Sequence, residues 1–427
     1  MHLDRSVAPP SQPIRHIELV QAATHHLPNG VPVHIIRAGK QPVVSIEVIF
    51  RRGGIKHETH DAACFFALKM LSEGTQSRTA YQVSNLVDSL GAYLQLSPGL
   101  DNSSVEIYCQ SKHADQLLQL LQEILTQPTF AEAELAKLKD RQKQQIRLSN
   151  EKISTLASKE MKAVLFGQDQ PYGKSLTEAS VDAVIRDNVV AFYENFLRSS
   201  WEVVLSGDVN PTVVASVERH LGALPLIENE SLVPPPAPDF LPVAQRLVAR
   251  NDSLQSSLRV GLPLFKKDHP DYHVMRIVNT ILGGYFGSRL MRNIREEKGL
   301  TYGISSGMAT LEDAGYLVVG TEVKKKFTQL ALDEIYREAN LLGQKKVPTA
   351  ELATVKSYLA GRLLKSVNTP FALAEKFKNI YLYDLTYDFY QNYLKTLETI
   401  TPQQVLTVAN RYLVADQWRE VVVGGYA

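Results

Sequence analysis

The chain has 427 residues, more than one ordinary hydrophobic core supports, so two or more domains are expected. Its 46 Lys and Arg residues nearly balance its 45 Asp and Glu residues, and the formal net charge of +1 argues against a nucleic-acid partner. The sequence contains no run of about 18 apolar residues, so no transmembrane helix is predicted. The N-terminus lacks the apolar core of a secretory signal. We therefore expect a cytoplasmic protein, or a periplasmic one if a signal peptide has been removed.

The two halves of the chain repeat one pattern at a fixed offset. The only tryptophans, Trp201 and Trp418, open the segments WEVVLSG and WREVVVG, and they lie 418 − 201 = 217 residues apart. The same offset relates ELAKLK, which starts at Glu134, to ELATVK, which starts at Glu351. Agreement at one offset in separate blocks predicts two homologous domains.

The elements of the first half predict an α+β fold. The Asn29-Gly30 pair indicates a hairpin turn, and a strand is expected at 43–50. A buried helix follows at 62–72, and amphipathic helices are predicted at 112–126 and 131–165. Because WEVVLSG then returns as a strand, each domain is predicted to be an α/β roll, an antiparallel-rich sheet with helices packed on one face.

The boundary between the domains is predicted from a run of prolines. The segment SLVPPPAPDF, residues 231–240, is suited neither to a helix nor to a central strand. We interpret it as a linker between an N-terminal domain at 1–230 and a C-terminal domain at 241–427.

A buried helix that contains one lysine is the most informative feature of the first half. Residues 62–75 read AACFFALKMLSEGT, and the lysine is Lys69. The segment resembles the zinc helix of the pitrilysin-type (inverzincin) zinc peptidases, in the mitochondrial-processing-peptidase-like branch. There the helix reads H-x-x-E-H and Gly-Thr follows. The resemblance implies two histidines on one helix face, a glutamate between them as general base, and a distant glutamate that completes the zinc site.

None of these four positions carries the residue that the chemistry needs. Counted back from Gly-Thr, the histidine positions fall on Phe65 and Lys69, and the base falls on Leu68. The distant glutamate falls on Gln145. This chain is therefore expected to bind no metal or other cofactor at a degenerate zinc site. Lys69 is expected to reach the rim of the domain or to pair with a carboxylate, with a direct functional role as the third alternative.

The second half resembles the same family more specifically. Residues 269–306 read HPDYHVMRIVNTILGGYFGSRLMRNIREEKGLTYGISS. The resemblance implies that an arginine and a tyrosine seven residues apart, here Arg295 and Tyr302, bind the substrate peptide. Their residue types alone leave a structural role open, because Lys298 and Gly299 are typical of a helix end. The glycine-rich segment LGGYFGS within this block is expected to be a close helix-to-helix packing point.

The remaining candidate ligands do not form a convincing metal site. They are four histidines in two pairs and two cysteines, and the cysteines are expected to be buried thiols. These residues are His57 with His60, His269 with His273, Cys64 and Cys109.

The resemblance implies a non-catalytic, substrate-positioning subunit of a heterodimeric zinc metallopeptidase. A homologous H-x-x-E-H-bearing partner would supply the zinc and the base, and each chain would form half of a clamp around a peptide. A structural core protein of the same fold with no part in proteolysis is the alternative, and an enzyme with a relocated metal is a third. The isolated chain could also form a homodimer through the surface meant for its partner.

Overall fold

Two mixed β-sheets with helices on their faces form the part of the chain that the computed structural model describes. This part comprises Ser6 and residues 17–199, 201–224, 239–242 and 244–426. The predicted α+β class is confirmed. No helix among these residues is long and apolar enough to cross a membrane.

The first sheet has six strands from the first half of the chain. They are β1 (Ala23–His26), β2 (Pro32–Arg37), β3 (Val43–Phe50), β4 (Tyr93–Ser97), β5 (Ser103–Gln110) and β6 (Trp201–Gly207). Their order is β1-β2-β6-β3-β5-β4, in which only β2 and β6 are parallel neighbours. Gly30, with φ of +85°, makes the predicted hairpin turn between β1 and β2.

The second sheet has five strands from the second half. They are β7 (Gln245–Ala249), β8 (Gln255–Leu264), β9 (Ile304–Thr310), β10 (Gly315–Lys324) and β11 (Arg419–Gly424). Their order is β7-β11-β8-β10-β9, with β7 and β11 parallel and the other neighbours antiparallel. This is the order of the first sheet without a counterpart of β1. β4 and β9 are therefore equivalent edge strands.

Fourteen α-helices are described. The first half contains α1 (Ala63–Met70), α2 (Ala80–Ser89), α3 (Ala114–Thr126), α4 (Glu132–Glu151), α5 (Ile153–Phe166), α6 (Glu178–Ala183), α7 (Arg186–Phe192) and α8 (Pro211–Leu221). The second half contains α9 (Tyr272–Asn279), α10 (Thr328–Gln344), α11 (Thr349–Lys365), α12 (Pro370–Tyr381), α13 (Asp388–Thr399) and α14 (Pro402–Tyr412). π-Helical turns lie at Tyr193–Leu197, Thr280–Gly284 and Met291–Glu297, and 3₁₀ turns at Ile55–His57, Ser111–His113, Lys325–Phe327 and Ala415–Gln417.

The offset of 217 residues that is visible in the sequence also relates the helices. Helices α4 and α11 begin at Glu132 and Thr349, and 349 − 132 = 217. Helices α5 and α12 begin at Ile153 and Pro370, and 370 − 153 = 217. The predicted linker lies outside the described residues except for its last two, so the domain limits at 230 and 241 stay a prediction.

The two halves exchange equivalent helices. Helix α5 of the first half packs on β8 and β11 of the second sheet, whereas α12 of the second half packs on β2 and β6 of the first sheet. Each sheet therefore has helices of its own half on one face, as predicted, and one helix of the other half on the opposite face.

The side chains of β6 show how this arrangement is encoded. Val203 and Leu205 point into the core formed with the first half's own helices. Val204, between them, points to the opposite face and packs with Leu373 and Phe377 of α12. Successive residues of a strand face opposite sides of the sheet, so a strand covered on both faces is apolar throughout.

The predicted helix at 131–165 is two helices, and this part of the prediction is wrong. The helical backbone breaks at Lys152, where φ is −80° and ψ is 111°. The segment before the break stays with the first half, next to α1 and α6. The segment after it leaves to cover the second sheet, where Ala157, Met161 and Leu165 are buried. A continuous helix could not pack in both places.

Candidate functional site

Helix α1 carries three of the four degenerate zinc positions. Its N-terminal turn is held by Glu58, whose carboxylate accepts a hydrogen bond of 2.8 Å from the backbone N–H of Cys64. Leu68, at the position of the general base, is fully buried in the core of the first half. Phe65 is half-buried and packs edge-on against Phe66, with ring centroids 5.1 Å apart. These contacts are those of a packed apolar helix.

Lys69 binds the backbone of an edge strand. Its Nζ donates a hydrogen bond of 2.5 Å to the carbonyl oxygen of Leu96 in β4. Burial lowers the pKa of Lys69, and no ion pair with a carboxylate is found for it in the described part of the chain. Of the alternatives expected for Lys69, pairing with a carboxylate is therefore not observed among the described residues. The ammonium is instead stabilised by a backbone carbonyl on the edge strand of the first sheet.

Gln145, the fourth degenerate position, is exposed on α4. α4 contacts α1, so the helix pair that would carry the zinc ligands is present although the ligands are not. Across the described residues, no group of three or more His, Cys, Asp or Glu side chains is arranged to hold a metal ion. Phenylalanine, leucine and glutamine at these positions do not fit a zinc ion, which takes nitrogen, thiolate or carboxylate ligands.

The other candidate ligands lie in packed environments. His57 stacks on Phe196 with centroids 5.8 Å apart, and burial lowers its pKa to about 4. His269 stacks on Phe265, with ring centroids 4.0 Å apart.

The two cysteines, Cys64 and Cys109, are buried and free, as predicted. Burial raises the pKa of Cys64 to about 12 and that of Cys109 to about 11. Such thiols are poor nucleophiles and poor ligands.

Arg295 lies on the π-helical turn at Met291–Glu297, and the turn ends as the sequence predicts. Lys298 follows the last helical residue, and Gly299 adopts the left-handed conformation with φ of +61°. The N–H of Leu300 then donates to the carbonyl oxygen of Ile294 at 3.0 Å, which closes the helix end. The chain direction after Arg295 is therefore fixed by backbone geometry.

A hydrogen-bond network fixes the same helical turn from its other side. Asn293 Nδ2 donates to Glu334 at 2.8 Å and to Glu338 at 2.7 Å, both on α10. Lys298 Nζ donates to Asn293 Oδ1 at 2.6 Å and forms an ion pair with Glu334 at 3.2 Å. The turn that carries Arg295 is thus bound to a long helix by buried and half-buried polar groups, which makes it a rigid support.

Tyr302 is displayed on an anchored turn. Its side chain is 95% exposed. The residues on both sides are held: Thr301 Oγ1 donates to the carbonyl oxygen of Glu322 at 2.8 Å, and the carbonyl oxygen of Gly303 accepts from Thr321 Oγ1 at 2.9 Å. An aromatic side chain that packs against nothing while its backbone is tightly bound does not serve the core.

Phe286 lies against Arg295 and was not predicted from the sequence as part of the candidate site. The guanidinium of Arg295 lies over its ring, with Cζ 4.6 Å from the centroid, and the ring is 65% exposed. A cation over an aromatic face is restrained without losing its hydrogen-bonding edge. Phe286 belongs to the segment LGGYFGS, and an aromatic residue among glycines is the sequence feature that could have indicated an exposed ring here.

The glycines of that segment allow a close approach, to a helical residue as predicted, since a Cβ atom at Gly283 would lie 3.0 Å from Cδ1 of Leu290, and also to a strand. A Cβ atom at Gly283 would lie 2.7 Å from the backbone nitrogen and from Oγ of Ser306 in β9. The missing side chain therefore lets the π-helical turn at Thr280–Gly284 sit directly on the edge strand.

Comparisons with known proteins find family matches in both halves of the chain. Residues 33–180 match the family profile described as "Insulinase (Peptidase family M16)". Residues 183–359 match the profile described as "Peptidase M16 inactive domain". The chain belongs to the peptidase M16 family.

Relatives in the M16 family differ in what their names imply. The chain is 23% identical over 395 residues to an "Uncharacterized zinc protease" of Rickettsia felis, covering 90% of this chain and 93% of that protein. It is 24% identical over 396 residues to "Non-peptidase homolog YmxG" of Helicobacter pylori, covering 90% of each.

Solved structures share the fold over most of the chain. An M16 inactive domain from Pseudomonas fluorescens superimposes with a TM-score of 0.86 at 22% identity, covering 95% of this chain and 98% of that one. A protease from Helicobacter pylori superimposes with a TM-score of 0.87 at 16% identity, covering 95% of this chain and 100% of that one. The M16 fold of both halves is therefore established independently of the degenerate zinc positions.

Proposed function

We propose that this chain is the non-catalytic, substrate-positioning subunit of a heterodimeric zinc metallopeptidase. A homologous partner with an intact H-x-x-E-H helix supplies the zinc ion and the general base. This chain contributes Arg295 and Tyr302 and half of a clamp around the peptide. The two side chains hold the scissile peptide against the partner's metal in a reactive geometry.

The exposure of Tyr302 is the observation that carries the proposal. A tyrosine that is 95% exposed between two hydrogen-bonded neighbours gains nothing for the fold, so its hydroxyl is available to a ligand. Arg295, restrained over Phe286, offers several N–H donors to a carbonyl or a carboxylate. A rigid donor aimed at a peptide carbonyl also stabilises the negative charge that develops on its oxygen.

The edge strand of the first sheet supports a division of labour. In β-strand addition, a peptide pairs with the free backbone groups of an edge strand. Here the Lys69 ammonium already donates a hydrogen bond to the carbonyl oxygen of Leu96 in β4. A peptide added to this edge would have to displace a half-buried cation. We infer that the peptide lies along the partner's equivalent strand, where a histidine stands in the family at the position of Lys69.

A scaffold without a part in proteolysis is the second candidate. The name of the Helicobacter pylori relative, "Non-peptidase homolog YmxG", favours it. In that case Tyr302 has no ligand, and its replacement changes no property of the complex that contains the chain.

Co-expression with an H-x-x-E-H-bearing homologue from the same genome tests the proposal. Peptidase activity on a library of fluorogenic peptides is measured for each chain alone and for the purified pair. We expect a stable heterodimer that is active, and activity near background for either chain alone. A partner that is fully active alone, or a pair that does not associate, would refute the proposed role.

A further inference from the structure

A polar cavity of about 460 Å³ opens in the second half between α9, β9, α11 and α12. Three of its lining side chains are cations: Arg276 of α9, Arg362 of α11 and Lys376 of α12. Neutral polar groups, among them Thr280 and Tyr393, line the space between them. The size falls within the range of small-molecule sites, although the polar lining differs from that of an apolar cofactor pocket.

The three cations have no anionic partners in the described part of the chain. None of them forms an ion pair with a carboxylate. The nearest acidic neighbour of Lys376 along the helix, Glu375, is engaged with Lys378 at 2.6 Å. Burial, and then the positive charges of Arg276 and Arg362, lower the pKa of Lys376. The carboxylate of Glu375 offsets this lowering only in part. Like charges that converge without an ion-pairing carboxylate are destabilising unless an anion joins them.

Tyr393 supplies an independent sign that a ligand is missing. Its side chain is only 1% exposed, and its hydroxyl has no hydrogen-bond partner. The guanidinium of Arg276 lies over its ring, with Cζ 4.1 Å from the centroid. A buried hydroxyl without a partner is costly, and such groups are uncommon in native proteins. Tyr393 lines the cavity, and its ring lies against the guanidinium of Arg276.

The position of the cavity in the repeat is informative. In the first half, α1 follows β3 and precedes the edge strand β4; in the second half, α9 follows β8 and precedes the edge strand β9. Gln145, at the distant glutamate position of the first half, corresponds at the offset of 217 to residue 145 + 217 = 362, which is Arg362. Arg362 of the cavity wall therefore corresponds to the distant glutamate position of the first half.

We propose that this cavity binds a small, multiply charged anion that carries phosphate or carboxylate groups. Arg276, Arg362 and Lys376 neutralise its charge, and the Tyr393 hydroxyl donates a hydrogen bond to one of its oxygens. Three cations match an anion with two or three negative charges better than a single carboxylate. The site is separate from Arg295 and Tyr302, and the proposal does not depend on the role of those residues in proteolysis.

Calorimetric titration of the full chain with three probes at matched ionic strength tests the site. The probes are inorganic pyrophosphate, citrate and acetate. We expect pyrophosphate or citrate to bind with one site per chain and at least about tenfold more tightly than acetate, because each charged contact contributes a factor of this order. Tighter pyrophosphate assigns a phosphate ligand, and tighter citrate assigns a carboxylate ligand.

Matched variants separate a built site from general electrostatic attraction. Arg362→Gln should weaken binding of the preferred probe by about tenfold or more. Lys365→Gln removes one charge from the same helix outside the cavity and should change the affinity less than about twofold. Tyr393→Phe should weaken binding by about tenfold without lowering the melting temperature of the free chain, because it removes a hydroxyl that has no partner there. No binding of either polyanion, or equal losses in Arg362→Gln and Lys365→Gln, would overturn the proposal.

Discussion

Lys378 of the second half and Glu47 of the first half form a buried ion pair, with Nζ 2.5 Å from Oε2. Glu47 lies in β3 on the face that α12 covers, and both side chains are largely shielded from water. Burial alone would lower the pKa of Lys378, but the carboxylates of Glu47 and Glu375 raise it. The pair therefore marks the point at which an exchanged helix is fixed to the other half's sheet.

Removing one member of this pair should destabilise the docking of α12. Lys378→Met leaves Glu47 buried without its partner, and we expect a loss of about 3 kcal/mol in the free energy of unfolding. The double variant Glu47→Leu with Lys378→Met leaves no buried unpaired charge, because the remaining partner of Lys378, Glu375, is exposed, and it should recover most of that loss. Chemical denaturation of the three proteins measures both effects. Additive losses in the double variant would show that the pair is not coupled.

The docking of α5 on the second sheet should be equally sensitive to one methyl group. A Cβ atom at Gly261 in β8 would lie 2.9 Å from the sulfur of Met161 and 3.2 Å from the carbonyl oxygen of Leu317. We expect Gly261→Ala to cost about 1 to 3 kcal/mol, because the helix must move away from the sheet. Gly361→Ala, on α11, is the matched control: apart from its chain neighbours and the backbone of its own helix, no atom lies within 4 Å of its added Cβ, and this variant should be neutral or stabilising. Equal melting temperatures for both variants would contradict close packing of α5.

Glu58 should make the stability of the chain depend on pH. Burial raises its pKa to about 7 in the folded chain, against 4.5 for the free side chain. Because the folded state holds this proton more tightly, the stabilisation is fully present below pH 4.5 and is lost as the pH rises to about 7. Between about pH 5 and pH 8, wild type should lose on the order of 2 to 3 kcal/mol relative to Glu58→Gln. Glu218→Gln, which changes an exposed carboxylate, should follow wild type at every pH.

The isolated chain should not retain zinc. Phe65, Leu68 and Gln145 cannot act as its ligands, so we expect less than about 0.1 zinc ions per chain after dialysis against micromolar zinc. Elemental analysis measures this directly, with the H-x-x-E-H-bearing partner as the positive control. One tightly held zinc ion per isolated chain would instead support an enzyme with a relocated metal.

Much of the fold is predictable from local patterns and from the repeat. The glycine turn before β2, the strand at Val43–Phe50 and the buried α1 all follow from residue type and periodicity. The helix exchange does not, because α5 and α12 are amphipathic wherever they pack, and the identity of the covering sheet is a long-range property. The break at Lys152 follows from that same tertiary requirement.

The candidate site was predictable only as a set of positions. The spacing of Arg295 and Tyr302 can be read from the sequence, but the exposure of Tyr302 depends on bonds from Thr301 to a different strand. The partner of Lys69 is a backbone carbonyl, which no side-chain pattern reveals. The contact between Phe286 and Arg295 depends on the conformation of the loop that joins two helical turns, and the sequence pattern does not specify that conformation.

The steady-state kinetics of the heterodimer with Tyr302→Phe or Arg295→Ala test the central claim most directly. The matched controls are Tyr81→Phe, at another exposed tyrosine, and Arg292→Ala, at an exposed arginine of the same helical turn. We predict that each test variant lowers kcat/KM by about tenfold to a hundredfold, with heterodimer formation and melting temperature unchanged, and that both controls remain at the wild-type value. Wild-type kcat/KM in both test variants would contradict the assignment of Arg295 and Tyr302 to substrate positioning.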